Sequence, residues 1–155
     1  MYMSSLSDLR INIDSNSNGD NKFSIAAHGT DMTGGVELFT IKESGLVGIG
    51  TTTPSTPLQV IGTITCTTLN QTSDRNAKEN FAPVDANAVL EKIATLPVLQ
   101  WNFKTEPDIT HIGPMAQDFH AAFNVGMDDK HIATVDEGGV ALAAIQALAA
   151  AQRRQ

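Results

Sequence analysis

Short runs of alternating hydrophobic and polar residues occupy the first half of the chain. The clearest run is Leu9-Arg10-Ile11-Asn12-Ile13, a pattern typical of a half-buried strand. Similar runs, separated by turns rich in Gly, Ser, Thr and Asn, predict further strands at residues 23–27, 36–41, 46–49, 58–61 and 63–69. Because helical periodicity is missing from residues 1–72, this half of the sequence predicts an all-β array.

The pattern changes near residue 72. Apolar residues then recur at helical spacing, which predicts three helices at residues 84–94, 116–123 and 138–154. Alternation predicts a strand at residues 98–103, a returning strand at residues 109–112 and an extended piece at residues 132–135. The sequence therefore predicts an α+β chain, with a β-rich stalk over residues 1–72 and a small α/β domain over residues 73–155.

Composition narrows the classes of function. The chain has 155 residues and a formal charge of −7, and its ten basic residues are scattered, so nucleic acid is not an expected partner. No apolar run reaches the length of a membrane span, and the first residues lack the basic and apolar regions of a secretory signal. The single Cys66 excludes an internal disulfide and a multi-cysteine zinc site. No cofactor is expected.

Aromatic side chains are few. The chain of 155 residues has only six Phe, one Tyr and one Trp. Such rings normally dominate the energetics of a core. Either the core is small and aliphatic, or the chain shares its buried surface with a partner. Composition alone leaves both interpretations open.

The candidate chemistry lies in the segment from Thr72 to Asn80, which reads Thr-Ser-Asp-Arg-Asn-Ala-Lys-Glu-Asn. A serine hydroxyl is a weak nucleophile until a base takes its proton, and Lys78 is the nearest candidate base to Ser73. The amine acts as a base only when neutral, a state that burial or a neighbouring cation such as Arg75 favours. From these residues alone, a helix N-cap followed by a solvated turn is the commoner meaning of such a pattern.

Two kinds of landmark point to known families. The string Leu-Val-Gly-Ile-Gly-Thr-Thr-Thr-Pro at residues 46–54, continued by Leu-Gln-Val-Ile-Gly-Thr at 58–63, resembles the repeated stalk motif of phage tail fibres and related bacterial fibre proteins. Further on come Ser-Asp-Arg-Asn-Ala-Lys-Glu-Asn at 73–80, His-Ile-Gly-Pro-Met-Ala-Gln-Asp at 111–118 and Val135-Asp136 before the last helix. In order and spacing these resemble the endosialidase-type C-terminal intramolecular chaperone domain, a family of self-cleaving serine peptidases.

The second resemblance implies a homotrimer at the end of a fibre. It implies that the domain helps the upstream stalk to fold in register and then cuts the bond before its own serine. In this chain that bond is Thr72–Ser73, with Ser73 as the nucleophile and Lys78 as the base. The candidate supporting residues are Asp74, Glu79, Asn80 and His111.

The last predicted helix, over residues 138–154, is apolar on nearly all sides. A narrow seam at three–four spacing is formed by Ala141, Ile145, Leu148 and Gln152. Such a helix is expected to be buried on more than one side. The residues alone fit a core helix and a trimer interface equally well, and the resemblance implies the trimer.

Other chemistry-bearing residues are assigned ordinary roles. His111 and His120 lack a matched set of further ligands, so no metal site is expected. Asp128 and Asp129 predict a solvated loop. Cys66, in a predicted strand, is expected to be a small buried apolar residue. Gly48-Ile49-Gly50 is not a dinucleotide fingerprint, because no helix is predicted after it.

Three functions are consistent with these features. The first is a self-cleaving chaperone whose partners are further copies of itself and the stalk as its folding client. It would belong to a phage virion tail fibre, released from it after assembly, or to a prophage or bacterial fibre protein made in the cytoplasm. The second is a trimerisation cap that does not cut. The third is a receptor-binding tip that recognises glycans, for which residues 1–72 offer Tyr2, Phe23 and Phe39 as the only large rings.

Overall fold

The computed structural model describes residues 21–28 and 35–154. These residues divide into two compact units, the first ending at Leu69 and the second beginning at Asn70. The described strands of the first unit are β1 (Lys22–Ala27), β2 (Val36–Lys42), β3 (Val47–Ile49) and β4 (Leu58–Val60). The second unit contains, in chain order, a 3₁₀ turn (Arg75–Ala77), α1 (Ala86–Thr95), β5 (Leu99–Trp101), β6 (His111–Gly113), α2 (Ala116–Phe123) and α3 (Thr134–Gln152).

The mixture of sheets and helices is consistent with the predicted α+β class. The functional boundary between residues 72 and 73 stays a prediction. The predicted strand at residues 9–13 lies outside the described residues.

Among the described residues, the first unit is a sheet in the order β1-β2-β3-β4. β1 and β2 pair antiparallel, with an irregular register between Ile25 and Ala26, and β2 and β3 also pair antiparallel. β3 and β4 pair parallel, with Val47 opposite Leu58. The four runs that predicted strands at residues 23–27, 36–41, 46–49 and 58–61 are confirmed as strands.

The parallel pair is joined by residues 50–57 alone, although a parallel connection usually needs a dozen residues or more. The two glycines of the stalk-like string make this short arc feasible. A Cβ at Gly48 would lie 2.3 Å from the carbonyl oxygen of Thr51, and Gly50 has a φ of 71°, which favours glycine. The glycines therefore serve a tight backbone return.

A polar contact joins the first two strands beside the only fully buried polar side chain among the described residues, Thr40. Its hydroxyl donates to Oε2 of Glu37 at 3.2 Å, and the Lys22 amine donates to Oε1 of the same carboxylate. The Lys22 hydrogen bond, followed by that from Thr40, lowers the pKa of Glu37 below its ordinary value. Phe23 and Phe39 are half-buried in these strands, so neither ring stands free as an exposed platform for a glycan.

Two predictions for the end of the first unit are wrong. Residues 63–69 do not form a strand, and Cys66 is exposed. An alternating sequence forms a strand only when another strand pairs with it, and no described strand pairs with this segment. Every residue from 61 to 85 is exposed in the single chain.

The first helix of the second unit is bounded by local signals. The Asp85 carboxylate caps α1 by accepting from the backbone amides of Asn87 and Ala88 at 3.0 and 3.1 Å. The helix ends at Thr95, and its C-cap Leu96 stands immediately before Pro97. The predicted helix is confirmed and begins two residues later than expected.

The remaining helices differ in how well their bounds were predicted. α2 has the predicted bounds and is followed by Asn124, whose φ of 52° is left-handed. α3 begins at Thr134, so residues 134 and 135 are helical. The prediction of an extended piece at residues 132–135 is wrong for these two residues. The earlier start brings Asp136 and Glu137 into the first turn, where acidic side chains stabilise the positive end of the helix dipole.

The predicted hairpin is confirmed, with β5 and β6 antiparallel and Trp101 opposite His111. The two strands are shorter than the runs that predicted them. The buried apolar side chains of the described residues are Phe119, Ala144 and Ala147, and the last two lie on α3, which packs against α1. None of the described helices has both the length and the apolar character needed to cross a membrane.

Candidate functional site

Ser73 and Lys78 are in direct contact. The Nζ atom of Lys78 lies 2.7 Å from Oγ of Ser73 and donates a hydrogen bond to it. The residues between them form a single 3₁₀ turn, Arg75–Ala77, which brings the chain back toward Ser73. The five-residue spacing in the sequence thus becomes a contact across one turn.

The turn is held by its N-cap, Asp74. The Asp74 carboxylate accepts from the backbone amide of Asn76 at 3.0 Å and from the Asn76 side-chain amide at 3.1 Å. The Asp74 carbonyl accepts from the amide of Ala77 at 3.1 Å. The commoner meaning of the Ser-Asp pattern, an N-cap followed by a solvated turn, therefore holds for Asp74 and coexists with the Ser73–Lys78 contact.

A second contact closes the same segment from outside. The guanidinium of Arg75 lies over the ring of Phe81, 5.3 Å from its centroid, within the range of a cation–π interaction. Between Lys78 and Phe81 the backbone turns at Asn80, which has a φ of 57°. Asparagine is among the residues that tolerate this left-handed conformation. No sequence pattern indicates this contact, because a six-residue separation matches neither helix nor strand periodicity.

The site lies on the surface of the single chain. Thr72, Ser73, Lys78, Glu79 and Asn80 are all exposed. The Thr72–Ser73 bond precedes the 3₁₀ turn and belongs to no strand or helix. Both residues of the bond are therefore exposed in the single chain.

His111 has a different position from the one expected of a supporting residue. Its ring stacks on Trp101, with 4.8 Å between ring centroids, and lies edge-on to Phe103 at 5.4 Å. Within the described part of the chain, Nε2 of His111 and Nε1 of Trp101 are buried without a hydrogen-bond partner. The recorded contacts thus place His111 in an aromatic cluster on the β5–β6 hairpin and not against Ser73.

The other polar residues considered as candidates make local contacts. Nδ1 of His120 lies 3.1 Å from the carbonyl oxygen of Val125, and no described group of three or more potential ligands is arranged for a metal ion. Asp128 accepts from the backbone amides of Lys130 and His131 and contacts the His131 ring. These hydrogen bonds, led by that from Lys130, lower the pKa of Asp128.

The predicted seam of the last helix faces away from the unit's own core. The exposed residues of this seam are Ala141, Ile145, Leu148 and Gln152. Ile145 is 59% exposed and Leu148 51%, and their neighbour Leu142 is 64% exposed. A neighbouring side of the helix buries Ala144 and Ala147. One side of α3 is therefore packed within the unit, and the side that carries the seam is apolar and uncovered in the single chain.

Comparison with known protein families gives a class that agrees with this geometry. Residues 73–127 match a family model described as the chaperone of endosialidase. The match supports an endosialidase-type chaperone domain in this segment, which starts at the serine of the contact. The family is one of self-cleaving peptidase domains that act in the assembly of trimeric fibres. No solved structure gives a significant match to the chain.

Proposed function

We propose that this chain is an intramolecular chaperone that trimerises, folds a fibre stalk in register and then releases itself by cutting the Thr72–Ser73 bond. The observation that carries the proposal is the 2.7 Å contact between Lys78 Nζ and Ser73 Oγ. It lies at the first residue of the matched chaperone domain. A serine beside an amine is the minimal arrangement for nucleophilic self-cleavage.

The proposed reaction begins with the neutral amine of Lys78. The amine takes the proton of Ser73 Oγ, and the oxygen attacks the carbonyl carbon of Thr72, forming a new C–O bond. The C–N bond between Thr72 and Ser73 breaks, and the proton passes to the nitrogen of Ser73, which becomes a free amine. The product is an ester that water splits, giving the Thr72 carboxylate and restoring the serine hydroxyl.

The uncovered face of α3 supports the trimer part of the proposal. Three chains joined at this face would bury the apolar seam and raise the local concentration of the stalk strands that must pair. Few apolar side chains are buried among the described residues. Burial shared between copies would therefore also account for the small number of aromatic rings. The chain would then belong to the tail fibre of a phage virion or to a related bacterial fibre.

A trimerisation cap that does not cut is the second candidate. The observation in its favour is the exposure of both Ser73 and Lys78 in the single chain. Water stabilises an amine as its ammonium ion, and an ammonium ion cannot take the proton of a serine. Both candidates require the trimer, and they differ only in the fate of the Thr72–Ser73 bond.

Intact mass measurement of the purified chain separates the two candidates. Self-cleavage predicts fragments of residues 1–72 and 73–155, and the Ser73→Ala chain should stay whole while still forming trimers. Lys78→Arg keeps a cation near the hydroxyl but removes the base, so it should also stay whole. Lys104→Arg, an exposed lysine outside the segment, is the matched control and should be cut. A wild-type chain that stays whole would refute the peptidase and leave the cap.

A further inference from the structure

We propose that Arg75 and Phe81 form a clasp that positions the Lys78 amine on the Ser73 hydroxyl, making both of them positioning residues for self-cleavage. This inference rests on the proposed function. The segment from Ser73 to Phe81 is closed twice, once by the Lys78–Ser73 hydrogen bond and once by the guanidinium of Arg75 over the Phe81 ring.

The Lys78–Ser73 contact needs a second contact to hold it, because the lysine side chain is flexible and exposed. A lysine side chain has four rotatable bonds and loses more conformational freedom than most when it is held in one place. Here it is also exposed, and an exposed hydrogen bond competes with water. The contact at 2.7 Å therefore depends on a backbone that aims the side chain at Ser73.

The clasp holds that backbone on both sides of Lys78. Before it, the carbonyl of Arg75 accepts from the Lys78 amide at 3.2 Å. After it, the left-handed turn at Asn80 returns the chain so that Phe81 meets the Arg75 side chain. Arg75 thus contacts Lys78 through its main chain and Phe81 through its side chain. Release of the ring would free residues 79–81 and, with them, the direction of Lys78.

The chemistry of the two side chains suits this role. Phe81 is 63% exposed, so the described single chain does not use it as a core residue. A planar guanidinium stacks on a ring better than an ammonium does and stays charged at all relevant pH values. A second cation–ring pair, Lys92 over Phe123 at 5.9 Å, lies away from the segment and offers a matched control.

The test measures the rate of self-cleavage by intact mass after synthesis of the full chain. Loss of an exposed cation–π contact predicts that Phe81→Leu and Arg75→Gln each slow cleavage by about two- to fivefold. Phe81→Tyr should restore the rate, and Arg75→Lys should restore part of it. The Arg75→Gln, Phe81→Leu double variant should be no slower than the slower single variant, because both changes remove one contact.

Lys92→Gln is the control variant and should cut at the wild-type rate. Light scattering should show trimers for every variant. The clasp is refuted if Arg75→Gln has no effect, or if Phe81→Tyr is as slow as Phe81→Leu. Additive losses in the double variant would also refute it, since they would mean independent roles for the two side chains.

A spectroscopic measurement keeps the inference separate from the proposed function. The chain has four arginines, so selective labelling gives few signals, and Arg75→Gln identifies that of Arg75. In the Ser73→Ala background, which should remain whole, the Arg75 methylene protons should be shifted upfield by the ring and should lose that shift in Phe81→Leu. Absence of the shift refutes the clasp even if the wild type cuts. If the upfield shift is present but the wild-type chain is never cut, the peptidase is refuted instead, and with it the role of the clasp in cleavage.

Discussion

Replacement of the two largest seam residues of α3 with serine should dissociate the proposed trimer without unfolding the chain. Ile145 and Leu148 are 59% and 51% exposed in the single chain, and neither is among the buried residues of α3, which are Ala144 and Ala147. The double variant Ile145→Ser, Leu148→Ser therefore removes apolar surface that the unit itself does not bury. Its effect should fall on assembly.

The size of the effect follows from the exposed surface. Full burial of such a side chain contributes about 1.5–3 kcal/mol, so the exposed half of each offers about 0.8–1.5 kcal/mol on assembly. Two side chains in each of three copies then contribute about 5–9 kcal/mol, and about 1.4 kcal/mol corresponds to a tenfold change in affinity. The variant should weaken association by a factor of at least about a thousand.

Size-exclusion chromatography with light scattering measures this directly, in the Ser73→Ala background so that the mass stays that of the whole chain. The parent should elute at three times 16.5 kDa from low micromolar concentration upward, and the variant at 16.5 kDa. Gln146→Ser is the matched control, because it introduces the same residue at an exposed polar position of α3. Circular dichroism should show the helix retained in both. A double variant that stays trimeric over the same concentrations would refute the seam.

Three further outcomes are expected from local contacts. Gly48→Ala places a Cβ against a carbonyl oxygen at 2.3 Å and should destabilise the sheet by about 1–3 kcal/mol in denaturant unfolding, whereas unchanged stability would contradict the tight arc. Asp85→Ala removes the cap of α1 and should cost about 1 kcal/mol in the same assay, with Asp85→Asn as a control that keeps the cap. Because the pKa of Glu37 is lowered in the fold, its stabilising contribution is present at neutral pH and is lost as pH falls through the titration of the carboxylate. Glu37→Gln should therefore reduce the acid-induced fall in thermal stability, and an unchanged pH profile would refute the contact with Lys22.

Much of the fold could be predicted where interactions among neighbouring residues determine the element. The spacing of apolar residues predicted α2 with its observed bounds and α1 to within two residues of its start, because helical periodicity is a local pattern. The alternating runs likewise predicted the strands of the described sheet. Predictions failed where a distant partner decides the structure. Residues 63–69 alternate like a strand but pair with no described strand, and Cys66 is exposed as a result.

The candidate site divides in the same way. The residue types and spacing of Ser73 and Lys78 are visible in the sequence, as is their resemblance to a family of self-cleaving chaperones. Only the tertiary structure shows that a 3₁₀ turn capped by Asp74 joins them at 2.7 Å. Only the structure shows that Phe81 returns to Arg75, because that contact depends on the left-handed backbone at Asn80.

The sequence alone therefore predicts which segments are β-rich or helical and which serine and lysine stand close along the chain. These properties arise from interactions among neighbouring residues, which periodicity and residue type record. The tertiary structure decided which face of α3 is packed against α1 and which is left apolar and exposed, and which strand edges pair. Those outcomes depend on contacts between residues far apart in the chain, whose free energy is not carried by any local pattern.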